Sequence, residues 1–217
     1  MKDRELAIFE ILEKLYPDAK IALDYDSDFH LLVAVILSAQ CTDVRVNKVT
    51  PVLFAKYPGI KDFAEADIEE LKKLIYTTGF YNNKAKNIIG AAKAILSEYN
   101  GKIPKTISEF SKIPGVARKT ANVVLSEVYG ICEGITVDTH VIRLSGRLGF
   151  CEQKLADKKN AVKIEEALMN IFPKKLWCKL PHLLILHGRK VCTAKNPKCG
   201  ECAVNKLCPY YKNPIRK

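Results

Sequence analysis

The 217-residue sequence predicts an all-α protein, on three observations. Apolar residues recur at helical spacing through most of the chain. Strict alternation of the strand kind is scarce. Turn signals such as Tyr57-Pro58-Gly59, Asn100-Gly101 and Ile113-Pro114-Gly115 cut the chain into segments of roughly helical length. In order along the chain, Ile8, Ile11, Leu12 and Leu15 form the first apolar stripe. Lys2, Asp3, Arg4, Glu5, Glu10, Glu13 and Lys14 interrupt this segment, so it reads as an amphipathic helix and not as a secretion signal. Phe29 to Ala39 is the most apolar window. It contains His30 and falls far short of the ~20 residues of a membrane-spanning helix, so it predicts a buried helix. Leu71, Leu74 and Ile75, then Ile88, Ile89, Ala92 and Ile95, continue the helical period. Without a repeat, low-complexity tract or flexible linker, any second lobe must be joined by chain crossings.

Thr106-Ile107-Ser108-Glu109 has the form of a capping box and should open a short helix, which Ile113-Pro114 should stop. After Gly115-Val116-Ala117, the run Arg118 to Val128 resumes helical spacing. The product is helix, tight hairpin, helix. A hairpin of small residues opening into a helix presents backbone N–H groups without partners to an anion, and a DNA phosphate fits such a site. Many helical proteins use the same turn for packing alone. Lys119 falls near the start of the second helix beside Arg118, where the dipole and a like charge both disfavour an ammonium ion. It is either a solvated surface lysine or an amine nucleophile. Asp138 precedes a helix expected over Val141 to Leu148. It is either a plain N-cap or a carboxylate that also faces a developing cation.

The formal net charge is +11, which favours a polyanionic partner without naming one. From Arg189 to Lys217 eight Lys or Arg face one acid, Glu201, so this tail is a candidate phosphate-facing surface. Of the eight cysteines, Cys41, Cys132, Cys151 and Cys178 are scattered among apolar neighbours and read as small buried hydrophobes. The other four form C-x6-C-x2-C-x5-C at Cys192, Cys199, Cys202 and Cys208, a set close enough to wrap one metal centre. Thiolate softness alone admits zinc or an iron–sulfur cluster. His182 and His187, five apart, fall on different faces of a helix and do not make a metal pair. No Walker A loop, H-E-x-x-H or G-x-S-x-G occurs, which removes the main nucleotide-hydrolysing and protease classes.

The run Ile113-Pro114-Gly115-Val116-Ala117-Arg118-Lys119-Thr120-Ala121-Asn122-Val123-Val124, followed by Val137-Asp138-Thr139-His140, closely resembles the signature of the endonuclease III family of helix-hairpin-helix DNA glycosylases. The resemblance also takes in Leu37 to Asp43, Gly79 to Ala85, Leu184 to Arg189 and the final cysteines, and so spans nearly the whole chain. It implies a six-helix lobe over 22–133 and a cluster lobe over 1–21 and 134–217, with a DNA groove between. It implies one 4Fe-4S cluster on Cys192, Cys199, Cys202 and Cys208. Lys119 would be the nucleophile and Asp138 would assist it, in a bifunctional glycosylase and abasic-site lyase that removes oxidised or ring-saturated pyrimidines from duplex DNA.

By the same resemblance Gln40 would fill the void left by the extracted nucleotide and Phe80 would act as a wedge, unless Phe80 is only core. Relatives commonly carry leucine there, and glycine is frequent where this chain has Ala117. Gly115, Val116 and Ala117 would grip phosphate through their backbone. His140 either reaches phosphate or sugar or is a structural histidine, and Lys195 and Lys198 of the cysteine loop would face the DNA backbone. The expected state is an intracellular, nucleoid-associated monomer that binds damaged double-stranded DNA and no membrane.

Overall fold

A computed structural model describes residues 2–213, and among these residues every regular element is helical. The chain divides into two compact units, Ala22–Glu133 and the combination of Met1–Ile21 with Gly134–Lys217. Helix α1 (Lys2–Leu15) opens the second of these, with Ile8 and Leu12 fully buried as their spacing predicts.

The unit Ala22–Glu133 comprises α2 (Asp28–Ser38), α3 (Asp43–Lys56), the short α4 (Ile60–Ala64), α5 (Ile68–Ile75), α6 (Tyr81–Tyr99), the single-turn α7 (Ile107–Phe110) and α8 (Arg118–Tyr129). Ser27 caps α2 by accepting from His30 N at 3.1 Å. Leu31, Leu32, Val33, Ala34 and Leu37 are completely buried, because α2 is apolar all round and packs against α3, α6 and α8. Helix α6 ends at Asn100 and Gly101, both left-handed, with Gly101 N donating to Ile95 O at 2.9 Å. The cap at Thr106 forms as the sequence predicts, with Glu109 N donating to Thr106 Oγ1 at 3.3 Å. Its return bond runs from the Thr106 hydroxyl to Glu109 Oε2 at 2.8 Å, and not from the Thr106 main chain.

The other unit continues with α9 (Thr139–Leu148), α10 (Gln153–Asp157), α11 (Ala161–Ile171), α12 (Lys179–Lys190) and α13 (Pro209–Lys212). Its core joins Ile8 and Leu12 to Val141, Leu144, Leu168 and Leu183. Phe150 meets Phe172 edge-on at a centroid distance of 5.2 Å. Each such side chain contributes roughly 1.5–3 kcal/mol on burial. Val204 and Cys208 belong to the same core, so the polar C-terminal segment is anchored through them.

No described helix is long and apolar enough to cross a membrane. Cys41 and Cys151 carry free, half-buried thiols. Cys132 is buried and Cys178 half-buried, in keeping with their reading as small apolar side chains. Arg216 and Lys217 of the basic tail lie outside the described residues.

Candidate functional site

The hairpin between α7 and α8 is closed by Val116 N donating to Ile113 O at 3.0 Å. That bond uses the Val116 N–H internally and the Val116 side chain is buried, whereas Gly115 and Ala117 on either side of it are exposed. Ala117 stands at the N-cap of α8 in extended backbone and supplies no side-chain cap. The first-turn N–H groups of α8 therefore keep their capacity for an anion. Lys119 lies exposed on that same turn.

Helix α6 backs the hairpin closely. A Cβ on Gly90 would sit 3.1 Å from Pro114 Cβ, and one on Gly115 would sit 2.6 Å from Asn87 Cβ. Gly115 also has φ +77°, where an L side chain is strained. Gly115→Ala must push the turn off α6, with an expected loss of about 1–3 kcal/mol in stability and weaker duplex binding. Thermal melts and a binding titration check this, and an alanine variant equal to wild type in both contradicts it.

Two further loops of the same unit carry strained residues. Gln40, just past α2, is exposed with φ 54°. Phe80 is 61% exposed with φ 50° at the N-cap of α6, so the alternative that it is a core residue fails. Non-glycine residues in this region cost about 1–2 kcal/mol each and persist only where the surroundings enforce them.

In the other unit, Asp138 is the N-cap of α9, which begins at Thr139, two residues earlier than the apolar pattern suggests. Its Oδ1 accepts from both His140 N and Val141 N at 2.8 Å, so the N-cap reading holds. Both bonds end on one oxygen, and Oδ2 is not used by the cap. His140 Nδ1 lies 3.1 Å from Arg143 Nη2. A guanidinium only donates, so Nδ1 accepts. Arg143 in turn donates to Gly188 O at 3.0 Å and to Cys192 O at 3.1 Å. Gly188 is needed for this approach: a Cβ there would lie 2.9 Å from both Arg143 Nη2 and His140 Nδ1. The N-terminal turn of α9 is thus tied to the first cysteine of the loop.

Cys192, Cys199, Cys202 and Cys208 line one recess, together with His187 and Tyr210. No three His, Cys, Asp or Glu among the described residues close around a point as they would for a single metal ion. Burial, then the neighbouring Cys192 and Cys208, push the Cys199 thiol up from its ordinary value. Four thiols brought this close become thiolates together only around a cationic centre. The soft donor set and the recess between the sulfurs fit a polynuclear iron–sulfur centre.

Side chains around the recess that spacing did not reveal complete it. Arg147 donates to Cys192 Sγ at 3.3 Å, to Thr193 O at 2.8 Å and to Ala194 O at 3.0 Å, and its guanidinium lies 4.7 Å from the Tyr210 ring centroid. His187 is buried, which pushes its pKa down to about 4 and keeps it neutral. Its Nε2 lies 3.3 Å from Cys202 Sγ and its Nδ1 3.1 Å from the Tyr16 hydroxyl. A thiolate at Cys202 only accepts, so Nε2 carries the proton and Tyr16 donates to Nδ1. Lys195 and Lys198 are exposed on the loop.

Residues 33–174 match the family of HhH-GPD superfamily base excision DNA repair proteins, and residues 192–208 match the iron-sulfur binding domain of endonuclease III. The chain is 51% identical to endonuclease III of Synechocystis sp., over 96% of this chain and 93% of that protein. It is 45% identical to endonuclease III of Bacillus subtilis, over 89% and 86%. A solved structure of a trapped endonuclease III–DNA covalent intermediate superposes with a TM-score of 0.90 at 42% identity, covering 100% of this chain and 99% of that one.

Proposed function

The chain belongs to the endonuclease III family of HhH-GPD base excision DNA repair proteins, and on that premise we propose which of its residues do the work of a DNA glycosylase and abasic-site lyase. Lys119 is the nucleophile. Its amine attacks C1′ of the flipped nucleotide, the glycosidic bond breaks, and the base departs with a proton. The opened sugar and Lys119 share a Schiff base. Loss of a proton from C2′ then expels the 3′ phosphate by β-elimination, and hydrolysis of the imine frees the lysine. Asp138 stabilises the cationic sugar through the carboxylate oxygen that its cap does not use. Gly115, Ala117 and the first turn of α8 grip a phosphate, Gln40 fills the void and Phe80 wedges the stack. His140, Lys195 and Lys198 add contacts to the sugar–phosphate backbone.

The observation that carries this reading is the position of Lys119. An exposed amine stands on the same uncapped helical turn that offers its N–H groups to a phosphate, which brings nucleophile and nucleic acid together. The favoured substrates are oxidised or ring-saturated pyrimidines and abasic sites in duplex DNA, acted on by a monomer. Cys192, Cys199, Cys202 and Cys208 would hold a 4Fe-4S cluster, whose part is to fold the loop that presents Lys195 and Lys198.

The test is a panel of duplexes carrying an oxidised thymine, uracil, adenine opposite oxidised guanine, or an abasic site. Cleavage of the first and last with little of the other two is expected. Release of adenine or uracil without strand cleavage would overturn the assignment. Asp138→Asn separates capping from catalysis, because asparagine caps a helix as well as aspartate does. Base release is expected to fall about 10²–10³-fold while stability stays within about 0.5 kcal/mol. Unchanged single-turnover kinetics would remove Asp138 from the mechanism.

A further inference from the structure

Lys84 lies on the first turn of α6 and is 4% exposed. Among the described residues no carboxylate pairs with it. Its Nζ donates to two backbone carbonyls, Leu37 O and Thr78 O, each at 2.8 Å. Burial pushes its pKa down, with Cys41 nearby opposing the shift. A buried ammonium without a counter-charge is costly, and a methionine would fill much the same space without that cost. What the amine adds is the pair of hydrogen bonds.

Both bonds end where a strained loop begins. The last four carbonyls of α2 lack intrahelical partners. Val35 O accepts from the Ser38 hydroxyl, Ile36 O from Ala39 N, and Ser38 O from Cys41 N. Leu37 O is left, and Lys84 takes it at the negative end of the helix dipole. Three residues on stands Gln40, left-handed and exposed. Thr78 O is the last carbonyl of the 3-10 turn Tyr76–Thr78, after which Gly79 (φ 71°) and Phe80 (φ 50°) are both left-handed. One amine therefore joins the roots of the two loops whose tips are Gln40 and Phe80.

We propose that Lys84 is a positioning residue that fixes the spacing between the Gln40 and Phe80 loops, so that both tips enter the opened duplex together; this rests on the wedge roles assigned to them above. Lys84 touches neither DNA nor the reacting atoms. Its removal should harm the opening of base-paired DNA and spare the chemistry on a sugar that needs no opening.

The experiment compares Lys84→Met with wild type on an oxidised thymine in a duplex and on an abasic site in single-stranded DNA, under single-turnover conditions. Duplex base release is expected to fall about tenfold or more, with single-strand cleavage within about twofold. Lys84→Met is then repeated in a Gln40→Ala, Phe80→Ala background, where it should cost less than about twofold, because its effect passes through those tips. Equal losses on the two substrates, an undiminished duplex rate, or the full tenfold loss in the background without the tips would each overturn the proposal. Should the methionine variant not fold, Lys84→Gln, whose amide can donate to one carbonyl, is measured on the same pair of substrates. A selective duplex loss supports the clamp and an equal loss on both overturns it. If wild-type protein cleaves neither substrate, the enzyme assignment fails and the clamp fails with it.

Discussion

Lys119→Gln is expected to abolish borohydride trapping on abasic DNA and to lower base release at least about 10³-fold, with duplex affinity within about threefold of wild type. The size follows from the role. Without the amine no Schiff base forms, and the strand cannot be nicked by the imine-assisted loss of the C2′ proton. The small binding effect follows from the proposed phosphate grip, which uses the Gly115 to Ala117 turn and the backbone of α8, both left intact by glutamine. Glutamine is also a good helix former, so α8 should persist. A collapse of affinity together with rate would mean that Lys119 is chiefly a phosphate contact.

Removing the cluster iron, or replacing Cys199 by serine, is the change with the largest expected effect on the fold. Val204 and Cys208 are buried in the same core as Ile8 and Leu144, with Cys192, Cys202 and Leu207 packed against it, while Thr193 and Cys199 are tied by hydrogen bonds to their backbone carbonyls. The energy of binding the centre is folding energy, on the order of 10 kcal/mol for thiolate-bound metal sites. Iron-free protein is therefore expected to melt at a much lower temperature, and proteases should cut first between Cys192 and Cys208. Loss of Lys195 and Lys198 as ordered phosphate contacts should make the salt dependence of duplex binding shallower by about 1.8 in the log–log slope. Unchanged melting and slope after iron removal would show the loop to be self-supporting. Iron and sulfide in equal amounts, near four of each per chain, would distinguish the cluster from zinc.

Features set by neighbours in sequence could be read from the sequence alone. Thr106 and Glu109, three apart, form their cap, Ile113 to Ala117 turn the chain, and four cysteines within seventeen residues line one recess. Features set across long separations could not. Lys84 and Leu37 are 47 residues apart, Arg147 and Cys192 are 45 apart, and Tyr16 and His187 are 171 apart. In sequence Lys84 is one more cation after Asn82-Asn83. Only the packing of α6 beside α2 shows that it is buried. His182 and His187 do not share a helix face, and the partner of His187 is instead a cysteine fifteen residues on, beyond the end of the helix. The use of the Val116 N–H inside the hairpin was equally hidden, since a turn's internal bond depends on backbone angles that its composition only allows.

The identity of the amine that bonds to deoxyribose decides the mechanism. Wild-type protein is incubated with abasic duplex and borohydride, the adduct is digested, and the modified peptide is sequenced by mass spectrometry. The sugar remnant is expected on Lys119 and on no other lysine. A remnant on a different residue, or spread over the exposed lysines of the basic tail, would contradict the assignment of α8 as the catalytic helix.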